Sequence, residues 1–215
     1  MTTAEDFVLL SSEHHYSGWA IDVRTDTIRM PDGTIAKRDV IGHPGAVGVV
    51  ALDADDKAVM VRQYRHPVGQ FLLELPAGLL DVAGEPALQA AQRELYEEAS
   101  LTASDWQVLV DIHTSPGMTD EAIRIFLARG LVDVPAEERF ESEHEEITMT
   151  VERHSLQHLA DMALRGELTN GPAVAGVFAA RQAQSQGWHG LRSADSPWRA
   201  RPTHGGELDC SDDGR

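Results

Sequence analysis

The sequence predicts an α+β fold preceded by a small antiparallel sheet, and three observations predict it. Short apolar and polar runs alternate through residues 1–44 around a Pro31-Asp32-Gly33 turn. An uninterrupted helical stripe at residues 87–99 lies between pairs of strand-like segments. Two further helical patterns follow at residues 155–165 and 172–184.

The chain of 215 residues is 42% hydrophobic, enough for one sizeable core but not for a second large domain. Its expected organisation is an N-terminal β-sheet region over residues 1–44, a main domain over 45–187, and a disordered acidic tail over 188–215. The formal charge of −17 repels nucleic-acid phosphates and anionic membrane surfaces, and no basic patch offsets it. A phosphate-bearing ligand must therefore be held by a few local arginines and by metal ions. The single cysteine, Cys210, excludes an internal disulfide and favours a reducing compartment. With no apolar run long enough to span a bilayer and no leader pattern in MTTAEDF, a cytoplasmic protein is expected.

In order, residues 19–23, 27–30 and 35–41 are expected as strands of a sheet too small to bury a core alone, so it must pack on the main domain or on a second subunit. Trp19 is either a sheet-packing aromatic or a stacking platform for a flat base. Residues 46–52 and 57–64 are expected strands separated by the polar Asp53-Ala54-Asp55-Asp56 turn. Arg65 follows, either a surface cation or a bidentate grip on a phosphate, and His66 has the place of a structural hydrogen-bonding group.

Residues 87–99 contain no Gly or Pro, and Pro86 is placed to be the first helical residue. Leu88, Ala91, Leu95 and Ala99 form an apolar stripe, and Glu94, Glu97 and Glu98, related by i,i+3 and i,i+4, gather on its flank. Lysines that would relieve the repulsion are missing from this helix and only Arg93 is cationic, so a hard divalent cation with oxygen ligands would both neutralise and use the cluster. Beyond it come strands at residues 106–112 and 122–128 joined through a sharp Ser115-Pro116-Gly117 turn, an acidic loop over 135–146, and a strand at 147–151.

Residues 75–101, LPAGLLDVAGEPALQAAQRELYEEASL, resemble the signature of the Nudix hydrolases, G-x5-E-x7-R-E-U-x-E-E-x-G-U, where U is aliphatic. Glu85, Arg93, Glu94, Leu95, Glu97, Glu98 and Leu101 fall in the pattern's order. Two departures stand out: six residues rather than five separate Gly78 from Glu85, and Ser100 replaces the last glycine, which implies a helix exit without positive φ. Within that family, Pro116, fifteen residues past Leu101, resembles the mark of the ADP-ribose pyrophosphatases, as does FLLELPAG ahead of the signature.

The resemblance implies a mixed sheet sandwiched between helices and Mg²⁺-dependent hydrolysis of ADP-ribose to AMP and ribose 5-phosphate, with Mn²⁺ as a possible substitute. It implies Glu94, Glu98, Glu97 and the Ala77 carbonyl as metal ligands, Glu97 also serving the catalysis, while Gly78, Glu85 and Arg93 hold the loop and helix together. Substrate contacts implied are Trp19, Arg38, Arg65, Glu74 and Glu121, with the Pro116-Gly117 turn. The general base is assigned to Glu145 of the acidic loop, with Glu143 next, and a homodimer with exchanged N-terminal segments is implied. Two alternatives stay open. One is the same chemistry on a nucleotide sugar or dinucleotide; the other is a non-catalytic ADP-ribose sensor, which would be expected to have lost carboxylates and gained a DNA-reading module.

Overall fold

The computed structural model describes residues 2–140 and 148–201, in two compact units. The first is built from Met1–Gly45 and His113–Ala122, the second from Ala46–Ile112 and Ile123–Ala200.

In the first unit, β1 (Val8–Ser17), β2 (Asp22–Arg29) and β3 (Ile35–Gly42) form a three-stranded antiparallel sheet in sequence order. The expected strands at 19–23 and 27–30 are thus one continuous β2. β1 itself was not anticipated, because every one of its residues is exposed and VLLSSEHHYS carries no burial alternation to read. Trp19 lies between β1 and β2 rather than in the sheet, and is 88% exposed. The end of β3 is tied to the 113–122 loop: Ile41 N–H donates to the Met118 carbonyl at 2.8 Å, and Asp120 N–H to the Ile41 carbonyl at 3.3 Å.

In the second unit β4 (Ala46–Ala51) is buried throughout, and its alternation feeds two cores. Val47, Val49 and Ala51 face one, Ala46 and Val50 the other. β5 (Lys57–Arg65) pairs antiparallel with β6 (Gln70–Glu74), and β7 (Ala77–Leu79) pairs antiparallel with β4. Helix α1 (Ala87–Ala99) packs Ala90, Ala91 and Leu95 into the Val47 core. β8 (Leu101–His113) and β9 (Ala122–Asp133) follow, longer than expected, with β9 parallel to β4. β10 (Thr150–Ser155), starting three residues later than expected, pairs with β5. Helices α2 (Leu156–Leu164) and α3 (Gly171–Ser185) close the other core with Leu159, Ala160, Ala173 and Val177. Gly176 permits that approach, since a Cβ there would stand 2.9 Å from Leu75 Cδ1 and 3.1 Å from Val50 Cγ2. With a last short strand, β11 (Arg192–Ser193), the five-stranded sheet is ordered β11-β8-β9-β4-β7, and is therefore mixed and covered on both faces by helices.

Two expectations are corrected. Residues 188–201 are not disordered: β11 (Arg192–Ser193) pairs with β8, and Trp198 packs on the Val47 core. The remainder of the expected tail, 202–215, lies outside the described residues. Ser100 does adopt positive φ, at 52°, and its N–H donates to the Tyr96 carbonyl at 3.0 Å as the helix ends. Serine takes the left-handed cap that glycine would occupy without cost.

Candidate active site

Helix α1 exists where it does because an unbroken run of helix formers offers one apolar stripe to the sheet; the same stripe presents its glutamates beside β7. Pro86 is the N-cap residue, in extended conformation, rather than the first helical residue as expected; the helix starts at Ala87. Arg93 reaches back to Glu85 with a bidentate fork, Nε to Oε1 at 3.1 Å and Nη2 to Oε2 at 3.0 Å, and so pins the entry loop to the helix. Its Nη1 also bridges Glu94, at 2.5 Å, and Glu97, at 3.2 Å. The Glu85 bonds raise the Arg93 pKa further, against the effect of burial.

Glu94 is 8% exposed. Burial pushes its carboxyl up to about 7, with Glu97 and Asp81 adding to the rise and Arg93 opposing it. Gly78 leaves room for this carboxylate: a Cβ there would land on it. Glu98 turns to the same strand and accepts the Ala77 N–H at 2.9 Å. Among the described residues no three Asp, Glu, His or Cys side chains already converge as a metal cage, and Arg93 bridges two of the glutamates instead. The donor set nevertheless fits a hard divalent cation: every donor is an oxygen, from a glutamate carboxylate or from the Ala77 carbonyl, and a cation would favour the ionised form of Glu94 that burial opposes.

Ahead of β7, Arg65 Nε and Nη2 hold both oxygens of Glu74, at 3.0 and 2.8 Å. Glu74 is buried and Arg65 half exposed, so the carboxylate orients the guanidinium.

The first unit gathers other expected residues. Arg38, Pro116 and Gly117 line a cleft of about 580 Å³ together with Asp39, His113 and Asp120. Glu121 is not among the lining groups; it accepts from Thr114 Oγ1 and faces His43 Nε2 at 3.5 Å. Trp19 is in solvent. Asp81, His43 and Asp120 were missed by the sequence reading. Asp81 sits in the signature loop and was a findable acid, whereas His43 and Asp120 acquire their roles only through contacts 77 residues apart. Glu143 and Glu145 lie outside the described residues, as do Glu141 and Glu146.

The sequence matches the NUDIX domain family over residues 42–172. It is 48% identical over 198 residues to the ADP-ribose pyrophosphatase of Mycobacterium tuberculosis, covering 92% of this chain and 94% of that one. To the ADP-ribose pyrophosphatase of Bacillus subtilis it is 36% identical over 143 residues, 66% of this chain and 76% of the relative. A solved structure described as an ADP compounds hydrolase superposes with a TM-score of 0.73 at 22% identity, over 87% of this chain and 99% of that one, which speaks to the fold. With the signature carboxylates on α1, the mixed sheet between helices, and a domain match over most of the chain, this protein belongs to the Nudix family.

Proposed function

We propose that this protein hydrolyses the diphosphate of ADP-ribose to AMP and ribose 5-phosphate. The observation that carries the reading is near full-length similarity to an ADP-ribose pyrophosphatase, 48% identity over 92% of the chain, in a protein that keeps every signature carboxylate. A sensor that binds without cleaving has no need of Glu85, Glu94, Glu97 and Glu98 together.

A water oxygen attacks one phosphorus, the bridging P–O bond breaks, and the other phosphate departs with the electron pair. The water's proton passes to a carboxylate base, assigned from sequence to Glu145 with Glu143 as the alternative. Glu94, Glu97, Glu98 and the Ala77 carbonyl are the groups that would hold Mg²⁺, or Mn²⁺ in its place. When bound, such an ion supplies charge that offsets the diphosphate's own and Lewis acidity toward water. Arg93 and Glu85 keep the loop and helix in register for that task. Arg65, its guanidinium oriented by Glu74 through Nε and Nη2, is a cation for a phosphate, and Arg38, Trp19 and the Pro116-Gly117 turn serve the remainder of the substrate.

The working form is a homodimer, supported by an N-terminal sheet in which Val8, Leu9, Leu10 and Ile35 are exposed.

A panel of ADP-ribose, a nucleotide sugar and a dinucleotide, assayed for nucleotide release with Mg²⁺ and with Mn²⁺, tests the reading. The highest kcat/KM is expected for ADP-ribose with AMP as product. Faster turnover of another member, or none of ADP-ribose, overturns it.

A further inference from the structure

We propose that His43 is a positioning residue that fixes the Glu121 carboxylate as a rigid acceptor for a hydroxyl or amine of the substrate. The proposal rests on the reading of Glu121 as a substrate contact.

The turn after β3 determines the ring's tautomer. Gly45 N–H donates to His43 Nδ1 at 3.1 Å, so Nδ1 is the acceptor and the neutral ring carries its proton on Nε2. Nε2 stands 3.5 Å from Glu121 Oε1, and Thr114 Oγ1 donates to the other oxygen, Oε2. Each carboxylate oxygen thus faces one N–H or O–H donor from a different segment. At 3.5 Å the imidazole contact is an oriented dipole rather than a formed hydrogen bond, and closure by about half an ångström would complete it.

The backbone supports the same arrangement. His43 N–H donates to Asp120 Oδ1 at 2.9 Å, Glu121 N–H donates to Thr119 Oγ1 at 3.1 Å, and Arg24 pairs with Asp120 Oδ2 at 3.7 Å. His43 therefore fastens the acidic pair Asp120-Glu121 through its main chain and aims the second acid through its ring. The ring is largely shielded, its side chain 13% exposed, while Glu121 keeps 24% of its side chain open. An ionised carboxylate only accepts hydrogen bonds. Held in one orientation, it selects a ligand O–H or N–H and repels a phosphate, the discrimination a nucleoside diphosphate needs at its sugar or base rather than at its diphosphate.

His43→Asn separates the two roles. Its side-chain oxygen can still accept the N–H two residues on, preserving the turn, but nothing replaces Nε2–H. KM for ADP-ribose is expected to rise about tenfold with kcat within about twofold, at unchanged thermal midpoint. Glu121→Gln should raise KM at least as much, and the double variant should be no worse than Glu121→Gln alone, because His43 acts through Glu121. Should His43→Asn fold poorly, Thr114→Val, which removes the other donor, carries the same expectation against Glu121→Gln. Additive KM effects, or a loss confined to kcat, overturn the proposal. Glu121→Gln with wild-type KM overturns it through the substrate contact itself, whereas absent ADP-ribose turnover in the wild type is a failure of the proposed function.

Discussion

Helix α1 with its strands and the N-terminal sheet are built from the same backbone rules but hold together differently. Around α1, Val47, Val49, Ala51, Leu95 and Phe126 are fully buried, and the glutamates occupy the edge of a finished core. In β1 to β3 the strands pair along their length, β2 with β3 in continuous register and β1 with β2 through two irregularities, at Leu9/Ser11 and His14/Tyr16; side chains cross-link as Ser12 to Asp26 at 2.6 Å and Thr25 to Asp39 at 2.7 Å, yet Gly42 is the one buried residue of the three strands. Hydrogen bonds exchanged with water contribute little net stability, and burial contributes most of it. The first region can therefore hold a cluster of like charges, whereas the second exposes the surface that the proposed dimer would cover.

The largest effect expected from this contrast is functional. Glu98→Gln or Glu94→Gln removes a charged oxygen from the edge of a completed core, so kcat should fall by roughly 10²–10³ while the thermal midpoint barely moves. Steady-state rates beside a melting curve check it, and wild-type turnover in either variant would remove the metal assignment. Glu145→Gln should lower kcat comparably with little change in KM, and Glu146→Gln should do little.

Next comes a test of how the second unit sustains itself. Asp111 accepts from Arg124 at 2.8 and 3.1 Å and from Arg192 at 2.7 Å, and the buried Arg124 also donates to the Ser196 and Pro197 carbonyls and lies 5.1 Å from the Trp198 ring centroid. Burial alone would raise the Asp111 pKa, but the two guanidiniums outweigh it and hold the carboxyl below its ordinary value. A depressed folded pKa stabilises above the unfolded value, near 3.9, and the contribution disappears as pH falls through the folded value. Asp111→Asn should therefore cost about 3 kcal/mol at pH 7. Denaturant melts at descending pH should show the gap to wild type closing below about pH 4; a pH-independent gap would contradict the ion-pair account.

These regions also divide by how much the sequence disclosed. Residues 87–99 were readable because stripe, charge spacing and absence of breakers agree within one segment, and the Glu85–Arg93 spacing lies in the same stretch. β1 was not, since an exposed strand has no inward face to mark it. The 192–198 segment reads as a Ser- and Pro-containing tail, and its order comes from Asp111 and Arg124, more than 70 residues away. His43 gave no signal beyond a His-Pro-Gly turn, because its partners arrive from the 113–121 loop.

If the N-terminal sheet needs a second copy to cover it, Leu10→Glu places a charge where apolar surface is to be buried. Losing one leucine's burial, about 1.5–3 kcal/mol, weakens association by roughly 10- to 100-fold. Light scattering at micromolar concentration is expected to show a dimer for the wild type and a monomer-dimer mixture for the variant. A fully active wild-type monomer would break the comparison by showing that this sheet stands alone.

The smallest expected effect tests the end of α1. Ser100 holds φ at 52°, where a Cβ crowds the backbone at a cost of about 1–2 kcal/mol, so Ser100→Gly relieves strain in the folded state. Glycine also widens the unfolded ensemble, which returns about 0.4–1 kcal/mol. The difference leaves a gain of up to about 1.6 kcal/mol, a rise of at most roughly 3–6 °C in the thermal midpoint for a chain of this size. Rates should not change, because the cap lies beyond Glu98 and its N–H donates to the Leu95 and Tyr96 carbonyls rather than to a carboxylate. A lowered midpoint would mean that the serine side chain contributes more at this exit than its backbone conformation costs.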